Sequence, residues 1–327
     1  MTTLLTPARR PSVAPTGAAA EPPPRRHPRP RGRRPLGRRR STWLAFLLLA
    51  GPNLLLLLVF TYRPLLLSFY YSTLQWNVGS RTARPVGLGN YAEWWQDPDT
   101  PMVLTTTAVF TLATVGGALV LGLGLALVLN RRMAGRGFAR SVAFAPYVLS
   151  GIAVGMLWLY IFDPRYGLLS VVLGWFGVAS PDWYNSSPWA LIMLIVVYLW
   201  KNLGYVALIY LAGLQAVPRD LLDAAALDGA SRARAFRSIV LPLLGPTTFF
   251  LVVTLLLSSL QSFDLVQAMT QGGPLGTTTT LMYQIYEEGF VVGRAGYASA
   301  VATVLFLILL AITALQLRVT ERKVHYA

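Results

Sequence analysis

Cysteine is absent from the 327 residues, which excludes a disulfide framework, a thiolate metal site and a catalytic thiol together. Histidine is nearly absent: His27 and His325 lie near opposite ends in charged tails. Neither a histidine-based metal cluster nor a Ser-His-Asp triad can be assembled from them. Lysine occurs twice, in Trp200-Lys201-Asn202 and Arg322-Lys323-Val324. A phosphate-cradling P-loop needs Gly-Lys followed by Ser or Thr, because backbone, ammonium and hydroxyl act on one nucleotide, and neither lysine fits. Charge as a whole is scarce, at 13% of residues against about 25% in soluble domains. The absences argue against a soluble enzyme and against ATP hydrolysis by a P-loop of this chain.

What is present is apolar and basic. Hydrophobic residues make up 54% of the chain, the mean hydropathy is +0.52 and the net charge is +15. Eleven arginines are packed between Arg9 and Arg40 with Glu21 as the only acid, in a stretch of Pro, Arg, Ala and Gly with few large side chains. Residues 1–40 are therefore expected to be a disordered cytoplasmic tail, and 41–327 a membrane domain. Six apolar stretches approach the 20 or so residues needed to cross about 30 Å of hydrocarbon. They are Trp43–Tyr62, Val103–Leu129, Ser141–Phe162, Trp189–Leu211, Leu243–Gln261 and Gly296–Leu317. Gly122, Gly124, Gly151 and Gly155 within them suit close helix approach.

The loops orient these spans. The tail, Asn130–Arg140, Ala216–Ser238 and the C-terminus hold 22 of the 28 Lys and Arg residues, whereas the intervening segments hold five. By the positive-inside rule both ends face the cytoplasm, as an even number of spans requires. The outer segments Leu65–Met102, Asp163–Pro188 and Ser262–Ala295 are rich in aromatics, which suit an interfacial belt or a sugar-stacking platform. Leu168–Val178 is too short to span and is expected to be a re-entrant or interfacial helix.

One cytoplasmic loop is unusual. Pro218-Arg219-Asp220-Leu221-Leu222-Asp223-Ala224-Ala225-Ala226-Leu227-Asp228-Gly229-Ala230-Ser231 reads as a short helix ended near Gly229, then a second helix capped by Ser231. An alanine-rich face beside a glycine turn, with Leu221, Leu222 and Leu227 as anchors and Arg232, Arg234 and Arg237 near Phe236, makes a docking knob.

Asp223-Ala224-Ala225, Gly229, Ile239 and Leu241-Pro242 resemble, at full spacing, the EAA signature of ABC-importer permeases, E-A-A-x3-G-x9-I-x-L-P, with Asp for the leading Glu. Gly87-Leu88-Gly89-Asn90-Tyr91 and Thr270-Gln271-Gly272-Gly273-Pro274 resemble the maltose-permease-like, carbohydrate-uptake branch. The run Thr278 to Phe290 and the end Glu321-Arg322-Lys323-Val324-His325-Tyr326 are similar to UgpA-type permeases for sn-glycerol 3-phosphate and glycerophosphodiesters. The resemblance implies an all-α, six-span type I importer permease in a bacterial inner membrane, with a cytoplasmic coupling helix. Asp223, Ala224, Ala225, Asp228, Gly229, Ala230, Phe236, Leu241 and Pro242 would couple it to the ATPase. It also implies a second homologous permease, two ATPase copies holding ATP and Mg, and an external solute-binding protein; this chain would carry no cofactor.

A charge deep in a span is costly, so Lys201 marks a cavity or a buried pair. Asn202, Gln261 and Asp264 are further candidates for the pathway, and Trp158 and Tyr160 are candidates for stacking on a polyol or for packing. Rival readings are a permease for maltose, trehalose or another oligosaccharide, a stand-alone secondary transporter, and a nucleic-acid binder using the tail. The secondary transporter would show repeats or intramembrane carboxylates for ion coupling, and the nucleic-acid binder lacks a binding domain.

Overall fold

The computed structural model describes residues 37–131 and 134–321, so most of the proposed tail and the signature at residues 322–326 lie outside the described residues. The chain divides after Leu57 into two units. The first consists, among described residues, of helix α1 (Gly37–Leu57). The second starts with a π turn, Leu58–Tyr62, and continues as α2 (Arg63–Ser72).

A small antiparallel pair, β1 (Leu74–Gln75) and β2 (Arg84–Pro85), precedes α3 (Gly89–Gln96) and the 30-residue α4 (Thr100–Leu129). Then come α5 (Arg136–Val148), α6 (Gly151–Phe162), α7 (Leu168–Trp175) and the 30-residue α8 (Ser187–Ala216). The loop helices α9 (Arg219–Leu227) and α10 (Arg232–Ala235) lead through a π turn, Phe236–Val240, into α11 (Leu241–Leu243) and α12 (Gly245–Leu260). Last are α13 (Asp264–Met269), α14 (Leu281–Tyr286), a third π turn (Glu287–Val291) and α15 (Ala295–Glu321).

Among the described residues, four stretches are long and apolar enough to cross a membrane unbroken: Leu48–Ser72, Thr100–Leu129, Ser187–Ala216 and Ala295–Gln316. Two bent pairs also pass the test of length and composition, α5 with α6 at 101° and Arg232–Leu243 with α12 at 60°, and the total is six where each pair counts as one span. Hydropathy ended the first span at Tyr62, and the structure carries that helix ten residues further, to Ser72. Helix continues through Pro64 to Ser72 because the preceding turn widens to π geometry. A proline lacks an N–H and its ring crowds the carbonyl four residues earlier, so a wider turn relieves both defects. The same arrangement recurs at Pro242, two residues after the π turn Phe236–Val240. The 101° elbow follows Pro146, with Leu149 and Ser150 in extended conformation between the two helices.

Helices α4 and α8 run parallel and in direct contact. Phe110 meets Tyr198 edge-on at 5.4 Å, Gly117 faces Leu199 and Gly122 faces Val206. The outer face of the second unit is tied by polar groups. Buried Asn90 donates to the carbonyls of Ser72 and Leu74 at 2.8 and 2.9 Å, and Tyr91 donates to Ser72 Oγ. The Thr278–Phe290 run is anchored on the rest: Leu281 N–H donates to Thr107 Oγ1, and Trp94 Nε1 to Gln284 Oε1. Arg294 grips Glu288 at 2.7 Å and Glu93 at 2.8 Å, joining the start of α15 to the third π turn and α3.

Of the four glycines expected to pack closely, Gly122, Gly151 and Gly155 do, and Gly124 faces open space. A β-carbon at Gly122 would lie 2.5 Å from Val206 Cγ1. Gly122→Val is therefore expected to force α4 from α8 and to destabilise the bundle by about 1–3 kcal/mol. Gly124→Ala, with nothing to strike, should leave it unchanged or more stable by up to about 1 kcal/mol. Thermal unfolding of the purified protein in detergent compares the two.

Candidate translocation cavity and coupling loop

The end of α5, the middle of α8, the end of α12 and the start of α13 border an open cavity of about 450 Å3 lined by Tyr147, Tyr198, Lys201, Asn202, Ser258, Gln261, Ser262, Asp264 and Leu265. Lys201, Asn202, Gln261 and Asp264, singled out from sequence as polar groups in or beside apolar spans, thus meet in one place. Tyr198, Lys201 and Asn202 share a face of α8 because three- and four-residue spacings bring side chains together on a helix. Asp264 opens α13 and lies directly against Gly151, the first residue after the elbow, where any larger side chain would collide with its carboxylate.

The cavity holds one cation and one anion that do not pair. Among described residues every ion pair involves Arg294, so the Lys201 ammonium has no carboxylate within 4 Å, although Asp264 lines the same space. Lys201 Nζ stands 5.7 Å from the centre of the Tyr147 ring, which stacks on Tyr205 at 4.6 Å. A cation over an aromatic face gains partial compensation for lost water. Asn202 spends its amide donor on the Tyr198 carbonyl, and Asp264 Oδ1 accepts the Leu265 N–H. The Tyr198 hydroxyl and Ser262 Oγ are buried without a protein partner. A buried hydroxyl wants one, so each leaves a hydrogen bond unmet beside the cavity.

Trp158 and Tyr160 are placed elsewhere. Trp158 packs against Phe162 and Trp200 in an aromatic cluster, and Tyr160 is 71% exposed on the outer face of α6. Tyr147, Tyr198, Ser258 and Ser262 were missed from sequence. The detectable signal was spacing: Tyr198 precedes Lys201 and Asn202 by three and four residues, and Ser262 follows Gln261.

The loop behind Pro218 is built from local rules. Gly229 adopts φ +75, and the helix ends with Gly229 N–H donating to the Ala226 carbonyl and Ala230 N–H to that of Ala225. That pair of bonds is the Schellman termination, which needs a left-handed residue and explains a glycine four positions after Ala225. Ser231 then accepts the Arg234 N–H and caps α10. Leu222 and Phe236 turn inward against the lower core. Asp223, Ala224, Asp228 and Gly229 are exposed, as are Leu221, Leu227 at 90%, Leu241 and Pro242; Ala225 and Ala230 are half-buried.

At the opposite end a hollow of about 400 Å3 gathers Asp97, Asp99, Glu287 and Glu288. Burial, with Glu288 beside it, raises the Glu287 carboxyl above the usual carboxylate range. No group of His, Asp or Glu suited to a metal ion occurs among the described residues.

These features agree with three comparisons. The family model described as "Binding-protein-dependent transport system inner membrane component" matches residues 118–326. The sn-glycerol-3-phosphate transport system permease protein UgpA of Agrobacterium fabrum is 36% identical over 85% of this chain and 95% of its own length. The UgpA of Brucella abortus is also 36% identical, over 87% and 97%, and that of Yersinia pestis 34% identical, over 87% and 96%. A chain of a bacterial ABC transporter involved in the import of the acidic polysaccharide alginate superposes with a TM-score of 0.77 over 88% of this chain and 98% of its own, at 21% identity. That fixes the fold as the ABC-importer permease fold. With the family model covering most of the membrane part and UgpA relatives aligned along nearly all of it, the chain belongs to the binding-protein-dependent transport system inner membrane component family, as a multi-pass inner-membrane permease subunit and not an enzyme.

Proposed function

We propose that this permease passes sn-glycerol 3-phosphate or glycerophosphodiesters such as glycerophosphocholine into the cell, as one of two homologous permease subunits served by two ATPase copies and an external solute-binding protein. The observation that carries the cargo assignment is the Lys201 ammonium, with no carboxylate within 4 Å in a polar cavity that it shares with Asp264, which suits a phosphate, and the UgpA names of the relatives agree with it. Tyr198, Ser262 and Gln261 offer hydroxyl and amide groups to a glycerol backbone. ATP and Mg bind the partner ATPase, and this chain adds no cofactor.

The 22 basic residues concentrated in the tail, alternate loops and C-terminus support cytoplasmic termini, with the Arg-rich residues 1–40 as an orienting tail. On that topology α9 faces the ATPase. Its exposed face around Asp223, Ala224, Asp228 and Gly229, flanked by Ala225 and Ala230, fits the role of the docking surface, while Phe236 anchors the loop to the bundle. Leu241 and Pro242 carry its movement into α12. Transport is then a population shift between inward-open and outward-open bundles, for which ATP binding supplies the differential affinity.

Two outcomes are expected. In liposomes holding the whole importer, ATP-dependent uptake of glycerol 3-phosphate and glycerophosphocholine should exceed that of maltose and trehalose. Lys201→Gln should lower phosphate-ester uptake at limiting cargo by about tenfold or more, the usual worth of a hydrogen bond to a charged group. Disaccharide uptake in its place would reassign the cargo and keep the mechanism.

Gly229→Val should insert normally yet couple poorly. There is open space around Gly229, so its effect is conformational, a left-handed β-branched residue costing about 1–2 kcal/mol and unwinding the end of α9. The check is cargo-stimulated ATP hydrolysis, which should fall while the amount of chain in the membrane does not; the same loss is expected of Asp223→Lys.

A further inference from the structure

At the end of the bundle that carries α9, three arginines converge on a concavity with no acidic residue in its wall. Arg136 opens α5, Arg140 follows one turn later and Arg219 opens α9; with Asn130, Gln215 and Leu222 they line a hollow of about 510 Å3. Arg140 Nη2 donates to the Leu129 carbonyl at 3.1 Å, one of the terminal carbonyls that α4 leaves without a helical partner. Its Nε is buried and has no partner. No carboxylate among the described residues lies within 4 Å of any of the three guanidinium groups. Such crowding is unfavourable unless an anion joins it, and the guanidinium fork matches a phosphate in two-point geometry.

The position of the hollow selects the kind of phosphate. α4 and α8 are each 30 residues long and apolar enough to span, and the hollow lies where both end, at the depth of lipid headgroups. Beside it the surface is apolar and open: Leu127 and Val128 on the last turn of α4 are 37% and 49% exposed, and Phe138, between Arg136 and Arg140, is 77% exposed. A soluble anion gains nothing from that flank, whereas a phospholipid lays its acyl chains on it.

We propose that this hollow holds the phosphate of an anionic phospholipid from the leaflet on the α9 side. Because Arg219 is the first residue of α9, occupancy ties the coupling loop to the charge of the surrounding membrane. The proposal rests on the membrane topology above and is independent of the cargo.

The test uses the whole importer in nanodiscs of phosphatidylcholine alone or mixed equally with phosphatidylglycerol, with retained lipid read by native mass spectrometry and ATP hydrolysis in parallel. The unaltered complex should retain phosphatidylglycerol in preference to phosphatidylcholine and hydrolyse ATP faster in its presence. The pair Arg136→Gln with Arg140→Gln should weaken retention about fivefold per arginine. The matched pair Arg81→Gln with Arg84→Gln, at the other end of the bundle, should leave it unchanged. Equal retention by the two variants, no lipid preference in the unaltered complex, or displacement of the bound lipid by millimolar inorganic phosphate or glycerol 3-phosphate would each overturn the assignment. If the Arg136/Arg140 variant fails to assemble, the lipid preference of the unaltered complex and the displacement experiment still decide.

Discussion

The direct contact of α4 with α8 is the constraint on which the rest of the second unit depends. Two 30-residue apolar helices approach closely enough that a single β-carbon at Gly122 would collide with Val206. In lipid, where hydrocarbon is as apolar as leucine, such intimacy replaces the hydrophobic effect as the source of association. The pair fixes which face of α8 points inward, and so where Tyr198, Lys201 and Asn202 stand. It also fixes the far ends, Asn130 and Gln215, between which the arginine hollow opens. The cavity thus lies beside the middle of α8, and the hollow at its end.

Around that pair, regular α-helix gives way to π turns and bends at defined places. Pro64 and Pro242 each follow a π turn by two residues, and Pro146 precedes the 101° elbow. Each break is a local answer to a missing N–H, yet the consequences are not local. The elbow delivers Gly151 to Asp264 and closes one wall of the cavity. The π turn and bend beside Pro242 join the loop helices to α12 through backbone that is not a rigid rod.

What could be read from the sequence follows from this difference between local and tertiary causes. The α9 loop was legible residue by residue, because a left-handed glycine, an Ser231 cap and a helix behind Pro218 obey rules that span a few positions. Lys201, Asn202, Gln261 and Asp264 stood out because polar groups are rare in apolar spans. Tyr147 and Tyr198 did not, since tyrosine is ordinary there and only packing decides whether its hydroxyl faces lipid, protein or a cavity. Trp158 shows the converse: a suggestive aromatic whose neighbours, Phe162 and Trp200, are those of a core. The elbow and the bend were invisible to hydropathy, which averages over a window and registers apolar length, not direction.

An ammonium with no carboxylate within 4 Å also shapes the energy of any ion that comes beside it. Bringing a negative charge into a cell with an inside-negative potential costs about 2.3 kcal/mol per charge per 100 mV. A fixed positive charge part-way along lowers the energy of an anion beside it, and that gain is given back on release, so the end-to-end climb is unchanged. Lys201 and Asp264 line one space without pairing, so the cavity holds a cation and an anion apart while its formal charge sums to zero.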